Sequence, residues 1–142
     1  MARTKIELPE KFAFKTQLKI RISDINYGGH LGNDSVGSLI HEARFQFFKS
    51  LGYKDELSLE GVGAIQADMV IVYKNEAFHG DQVELKVAVT EISKVSFDLT
   101  YLIKEAGSEK EIARGKTTIV TYDYDQKKKI SVPQPLVEKL QP

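Results

Sequence analysis

Residues 21–52, RISDINYGGHLGNDSVGSLIHEARFQFFKSLG, run from a strand through a glycine-rich polar loop into one long amphipathic helix. Upstream, Phe12, Phe14, Thr16, Leu18, Ile20 and Ile22 alternate with Lys15, Gln17, Lys19 and Arg21. That period of two predicts a half-buried strand over 12–22. Gly28, Gly29 and Gly32 permit unusual dihedrals in the loop 23–33. Asn33 or Asp34 can cap the helix, and Gly52 can stop it. Along the helix Val36, Leu39, Ile40, Ala43, Phe47 and Leu51 form one apolar stripe. Phe45 lies opposite that stripe, so either the sheet or a partner subunit covers a second side.

After the helix the chain reads as strands. Residues 64–73 carry Ile65, Ala67, Met69 and Ile71 on one side, and 83–90 alternate Val83, Leu85, Val87 and Val89 with polar residues. Residues 95–103 alternate around Val95, Phe97, Leu99, Tyr101 and Ile103, and 112–124 form a last strand with Gly115 as its expected bulge or kink. Ala106-Gly107-Ser108 marks a hairpin turn, and a short helix is expected after Pro133. A single helix cannot cover both faces of a five-stranded sheet. It packs on one face, and the other face or an edge meets a second copy. The class is α+β, with one domain over 1–142.

Composition removes several functions. Lysine plus arginine equals aspartate plus glutamate, 20 of each, so the net basic face that nucleic acid requires is missing. No apolar run reaches membrane-spanning length. The segment MARTKIELPEK has no apolar core of the secretory kind. There are no cysteines, which excludes disulfides, a thiol nucleophile and thiolate metal sites, and fits a cytoplasmic location.

The residues able to do chemistry cluster in the loop and helix: Asp24, Asn26, His30, Asn33, Asp34, Glu42 and Arg44. Asp24 reads as a base or as a loop carboxylate bonding nearby amides. His30 can bond a carbonyl or a carboxylate, or lock the loop. Asp34 suits a helix cap better than a base. Glu42 is a solvated partner of Arg44 or Gln46, or, if the helix is enclosed, a base whose pKa burial would raise. Arg44, beside the apolar stripe, is expected to pair with an acid. Gly32-Asn-Asp-Ser35-Val-Gly37 does not match a serine nucleophile elbow. Histidine spacing gives no metal motif, so no metal site is expected.

The series Arg21-x-x-Asp24-x-Asn26-x-x-Gly29-His30-Leu31-x-Asn33, then Glu42-Ala43-Arg44 and Leu51-Gly52, resembles the hotdog-fold acyl-CoA thioesterases related to 4-hydroxybenzoyl-CoA thioesterase. Tyr73-Lys-Asn-Glu-Ala77-Phe-His-Gly80-Asp81 and the segment from Ala113-Arg-Gly115 to Val132-Pro133 resemble later passages of the same family. The resemblance implies a curved five-stranded antiparallel sheet around one central helix. It implies a homodimer with joined sheets, able to assemble into tetramers, with sites at the subunit interface. The implied reaction is hydrolysis of an acyl-CoA or acyl-carrier-protein thioester. It needs no metal or redox cofactor, CoA being part of the substrate. A backbone amide near Asn33 and Asp34 would polarise the carbonyl. Many relatives place their catalytic aspartate where this chain has Asn26, which cannot act as a base but can orient water. The carboxylate role therefore falls to Asp24, Glu42 or Asp34. Lys94 and Ser96 match strand positions that hold nucleotide phosphates in some relatives. Two alternatives remain: a non-catalytic acyl-CoA or acyl-carrier-protein binding module, and a hotdog enoyl-CoA hydratase. The hydratase motif sets aspartate and histidine five apart around Asn-Pro, whereas Asp24 and His30 are six apart with no proline.

Overall fold

The computed structural model describes residues 3–141. Met1, Ala2 and Pro142, the ends of the single domain and of the N-terminal segment read above, lie outside the described residues. The strands are β1 (Phe14–Lys19), β2 (Gly63–Tyr73), β3 (Gln82–Ile92), β4 (Ser96–Glu105), β5 (Glu111–Asp123) and the two-residue β6 (Lys128–Lys129). The helices are α1 (Asn33–Ser50) and α2 (Gln134–Leu140). All strand pairs are antiparallel, in the order β1-β3-β4-β5-β2, with β6 added beside β5. This is the hotdog arrangement, a curved sheet around one long helix. Among the described residues no helix is long and apolar enough to cross a membrane.

The helical stripe lies against the inner sheet face. Val36, Leu39, Ile40, Ala43, Phe47 and Phe48 are buried with Leu85, Val87, Leu99, Tyr101, Ile103 and Ile119. Each large apolar side chain buried here contributes about 1.5–3 kcal/mol. Gly115 makes room for the helix, since a Cβ there would lie 2.6 Å from Ile40 Cδ1. It forms no bulge. The register through Gly115 is unbroken, and the β4–β5 irregularity falls between Ile103 and Lys104.

Three further expectations are corrected. The first strand ends at Lys19, and Ile22–Asp24 form a 3-10 turn because the Asp24 carboxylate accepts the Arg21 N–H at 2.8 Å. Neither Asn33 nor Asp34 is the N-cap. Gly32 is, with no side-chain cap bond, and its carbonyl accepts Ser35 N and Val36 N at 3.0 and 3.3 Å. In β2 a bulge between Gln66 and Asp68 reverses the alternation. Gln66 pairs opposite Ile119 and lies, still exposed, on the helix side of the sheet, whereas Ile65 pairs opposite Val120 on the other face. The long strand β2 has only β5 beside it, so its other edge is open, with Met69, Val70 and Tyr73 exposed. Phe45 is half-buried, with Lys49 Nζ 5.9 Å above its ring.

Candidate active site

The loop before α1 is shaped by its own polar groups. Asn26 Oδ1 accepts Gly28 N at 2.9 Å and His30 N at 3.3 Å, and Asn26 N donates to His30 O at 2.9 Å. Gly29 turns the chain at φ +85°, a conformation that favours glycine. Leu31 N donates to Ala77 O at 2.8 Å, which ties the loop to the segment after β2. Asn26 therefore keeps its Nδ2 amide as the group it can offer outward.

A cleft of about 310 Å³ opens where this loop meets the start of α1. Asn26, His30, Asn33, Tyr73, Lys74 and Glu76 supply its polar wall, and Val36 and Ile112 part of its apolar wall. Asn33 and Asp34 are the first two residues of α1, whose N–H groups have no acceptor inside the helix. They carry the positive end of the helix dipole. Tyr73 Oη donates to Asn33 O at 3.1 Å. Burial raises the pKa of that phenol, and the negative charge of Asp34 raises it further. His30 Nδ1 is buried without a hydrogen bond. Glu76 Oε2 faces it at 3.3 Å, within ion-pair reach but outside hydrogen-bond geometry. The Phe78 ring flanks the imidazole, with centroids 5.2 Å apart.

Asp24 does not line this cleft. It is 4 % exposed, and both carboxylate oxygens face the Arg21 guanidinium at 3.4 Å. Its own carbonyl accepts Gly32 N at 2.9 Å. The residue braces the turn that leads into the cap.

Glu42 is exposed on α1 and borders a second cleft of about 460 Å³ with Lys19, Arg21, Ser38 and Leu39. The enclosure that would have buried it is not provided by its own chain. Its carboxylate is nevertheless held: Thr16 Oγ1 donates to Gln46 Oε1 at 2.7 Å, and Gln46 Nε2 donates to Glu42 Oε2 at 2.8 Å. Arg44 instead enters the interior, donating from Nε to Glu56 at 3.2 Å and from Nη1 to Gln66 at 2.6 Å. Lys94 and Ser96 lie at the β3–β4 turn and line neither cleft. Among the described residues no group of three histidine, aspartate or glutamate side chains is arranged to hold a metal ion.

Residues 20–140 match the thioesterase-like superfamily. The chain belongs to that superfamily. A 1,4-dihydroxy-2-naphthoyl-CoA thioesterase from Synechocystis superposes with TM-score 0.81 at 22% identity, over 89% of this chain and 94% of that one. A thioesterase from Thermus thermophilus, complexed with coenzyme A and Zn, gives TM-score 0.81 at 22% identity over 93% and 100%. A 4-hydroxybenzoyl-CoA thioesterase variant complexed with 4-hydroxybenzoyl-CoA gives TM-score 0.81 at 17% identity over 90% and 98%. At these identities the likeness establishes the shared fold. Comparison with curated proteins finds no match.

Within this thioesterase-like chain, Tyr73 and Glu76 are cleft residues that the sequence did not single out as site residues. Both follow from β2 ending beside the start of α1, a long-range contact with no local pattern. The one available signal was the family-like passage beginning at Tyr73.

Proposed function

We propose that the protein is a thioester hydrolase acting on acyl-CoA. The thioester oxygen sits against the backbone N–H groups of Asn33 and Asp34, and Asn26 Nδ2 orients the attacking water. The observation that carries this reading is the cleft at the start of α1, lined by Asn26 and by Asn33, the first residue of the helix, with Asp34 next in the chain. A donor so placed contributes roughly 10²–10³-fold.

The base in this reading is Glu42 of the partner subunit. Glu42 is eight residues beyond Asp34, about 12 Å along the helix axis. That exceeds the ~3 Å reach of a base acting directly, and exceeds one bridging water. Pairing of two copies through the open β2 edge would bring the helix of one beside the cleft of the other. The CoA thioesters named for the similar structures support a CoA substrate and, with it, cytoplasmic work.

Water loses a proton to the glutamate as its oxygen bonds to the carbonyl carbon. The oxyanion then collapses and the C–S bond breaks. The thiolate takes the proton from the glutamic acid, and the acyl group departs as carboxylic acid, which ionises. His30, faced by Glu76, forms the side wall.

Thiol release from a panel of aliphatic and aromatic acyl-CoAs tests the reading. Turnover by wild type that falls at least a hundredfold in Glu42→Gln supports it. Binding of acyl-CoA without thiol release would make the protein a binding module. Loss of enoyl absorbance from crotonyl-CoA would make it a hydratase.

A further inference from the structure

Thr16 stands where the fold calls for an apolar residue. On β1 it lies between Phe14 and Leu18, on the side of the strand that packs against the core, and its register partner Leu85 is fully buried. A hydroxyl at such a position needs a hydrogen-bond partner. That partner is the half-buried Gln46 of α1, whose Oε1 accepts Thr16 Oγ1 at 2.7 Å.

This bond decides which way the Gln46 amide is turned. With Oε1 on the threonine, Nε2 faces Glu42 Oε2 at 2.8 Å, one helical turn back. The reversed amide would set its oxygen against the carboxylate, and neither can donate. The amide is therefore fixed from both ends. The other charged neighbours of Glu42 are engaged elsewhere or unpaired with it. Arg21, across the same cleft, pairs with Asp24, and His41, next on the helix, faces Glu56. Lys19 borders the cleft and makes no ion pair to Glu42 among the described residues. Among those residues Glu42 is thus held through Oε2 alone, and Oε1 is free.

We propose that Thr16 and Gln46 are positioning residues for the hydrolysis: they hold the Glu42 carboxylate by Oε2 and leave Oε1 to take the proton of the attacking water. The inference rests on the reading of Glu42 as the base and deepens it. An unheld glutamate on an exposed helix face samples several rotamers, and those that point away from the water are lost to catalysis. The brace starts from a rigid support. Thr16 is β-branched and stiff at χ1, and β1 is paired to β3 along all six of its residues. Gln46 is also neutral. A lysine four residues after Glu42 would hold the carboxylate as well, but its charge would oppose proton uptake. All three residues belong to one chain, so in the proposed dimer each copy presents a braced base to the other's thioester.

The test uses the full chain and the acyl-CoA that wild type hydrolyses fastest. It follows kcat and KM separately in Gln46→Leu, Gln46→Glu and Thr16→Val. Gln46→Leu removes the donor, and kcat should fall about tenfold with KM unchanged. Gln46→Glu keeps the size of the side chain but sets a second carboxylate against the first, and kcat should fall at least as far. Thr16→Val keeps the shape but frees the amide to turn, and kcat should fall about threefold. Gln46→Leu and Thr16→Val are then each combined with Glu42→Gln, at high enzyme concentration. Neither should lower the residual rate further, because each acts only through that carboxylate. Wild-type kcat in Gln46→Leu and Gln46→Glu, or the same loss with and without Glu42→Gln, would overturn the positioning role and leave Glu42 as the base. Full thiol release by Glu42→Gln, or none by wild type, would overturn the base reading and the brace with it.

Discussion

Helix α1 carries two polar clusters, and they differ in how completely their bonding groups are used. At the middle of the helix, Arg44 is 5 % exposed, with Nε on Glu56 and Nη1 on Gln66. His41 Nε2 lies 2.9 Å from the other oxygen of Glu56, and Tyr101 Oη shares a hydrogen bond of 2.8 Å with Thr117 Oγ1 nearby. At the start of the helix, the first two backbone amides, the Asn26 Nδ2 and the His30 Nδ1 have no hydrogen-bond partner among the described residues. A saturated cluster holds elements together. An unsaturated one beside a cleft is available to a ligand. On the proposed reading, the buried face at the middle of the helix serves structure, and the chemistry uses the helix tip together with the exposed Glu42.

The contrast breaks most visibly at Arg44. Arg44→Met leaves the mostly buried Glu56 with only His41 as a partner and should cost about 3 kcal/mol of stability, read by urea denaturation. A loss under ~1 kcal/mol would show that the cluster is not structural. Glu42→Gln should do the reverse. Thiol-release activity should fall about 10²–10⁴-fold, with stability changed by less than ~0.5 kcal/mol.

Tyr101 sharpens the structural side through pH. Burial raises its phenol pKa in the folded protein, and the bond to Thr117 only partly offsets this. Below the unfolded tyrosine pKa of about 10 its contribution is constant. Above it the unfolded chain sheds a proton that the folded chain keeps, so stability falls as pH rises. Tyr101→Phe should remove up to ~1.4 kcal/mol per pH unit of that slope in alkaline denaturation. Tyr73→Phe, which removes one hydrogen bond to Asn33 O, should have the smallest effect. It corresponds to about 0.5–1.5 kcal/mol and a few-fold change in kcat/KM.

Much of this frame was legible from period alone. The α1 stripe, the inward sets of β3 and β4 and the turn at Gly107 all follow from local spacing. The failures arise where distant contacts decide. No local pattern announces the β2 bulge that turns Gln66 rather than Ile65 toward Arg44. Gly32 serves as the cap through its extended backbone alone, with no side-chain bond that a residue pattern could announce. Asp24 looked available at a strand end, yet the turn it braces buries it. Glu76 joins the site only because the segment after β2 pairs with Leu31.

In the proposed mechanism the amides of one chain and the Glu42 of another serve the same carbonyl. Asn33→Pro removes one of those amides at the first helical position, where proline is tolerated. Co-expressing differently tagged Asn33→Pro and Glu42→Gln chains and isolating the mixed dimer gives one doubly defective site and one intact site. Shared sites predict thiol release near half the wild-type rate from that dimer, far above either parent. A mixed dimer no more active than its parents would contradict them.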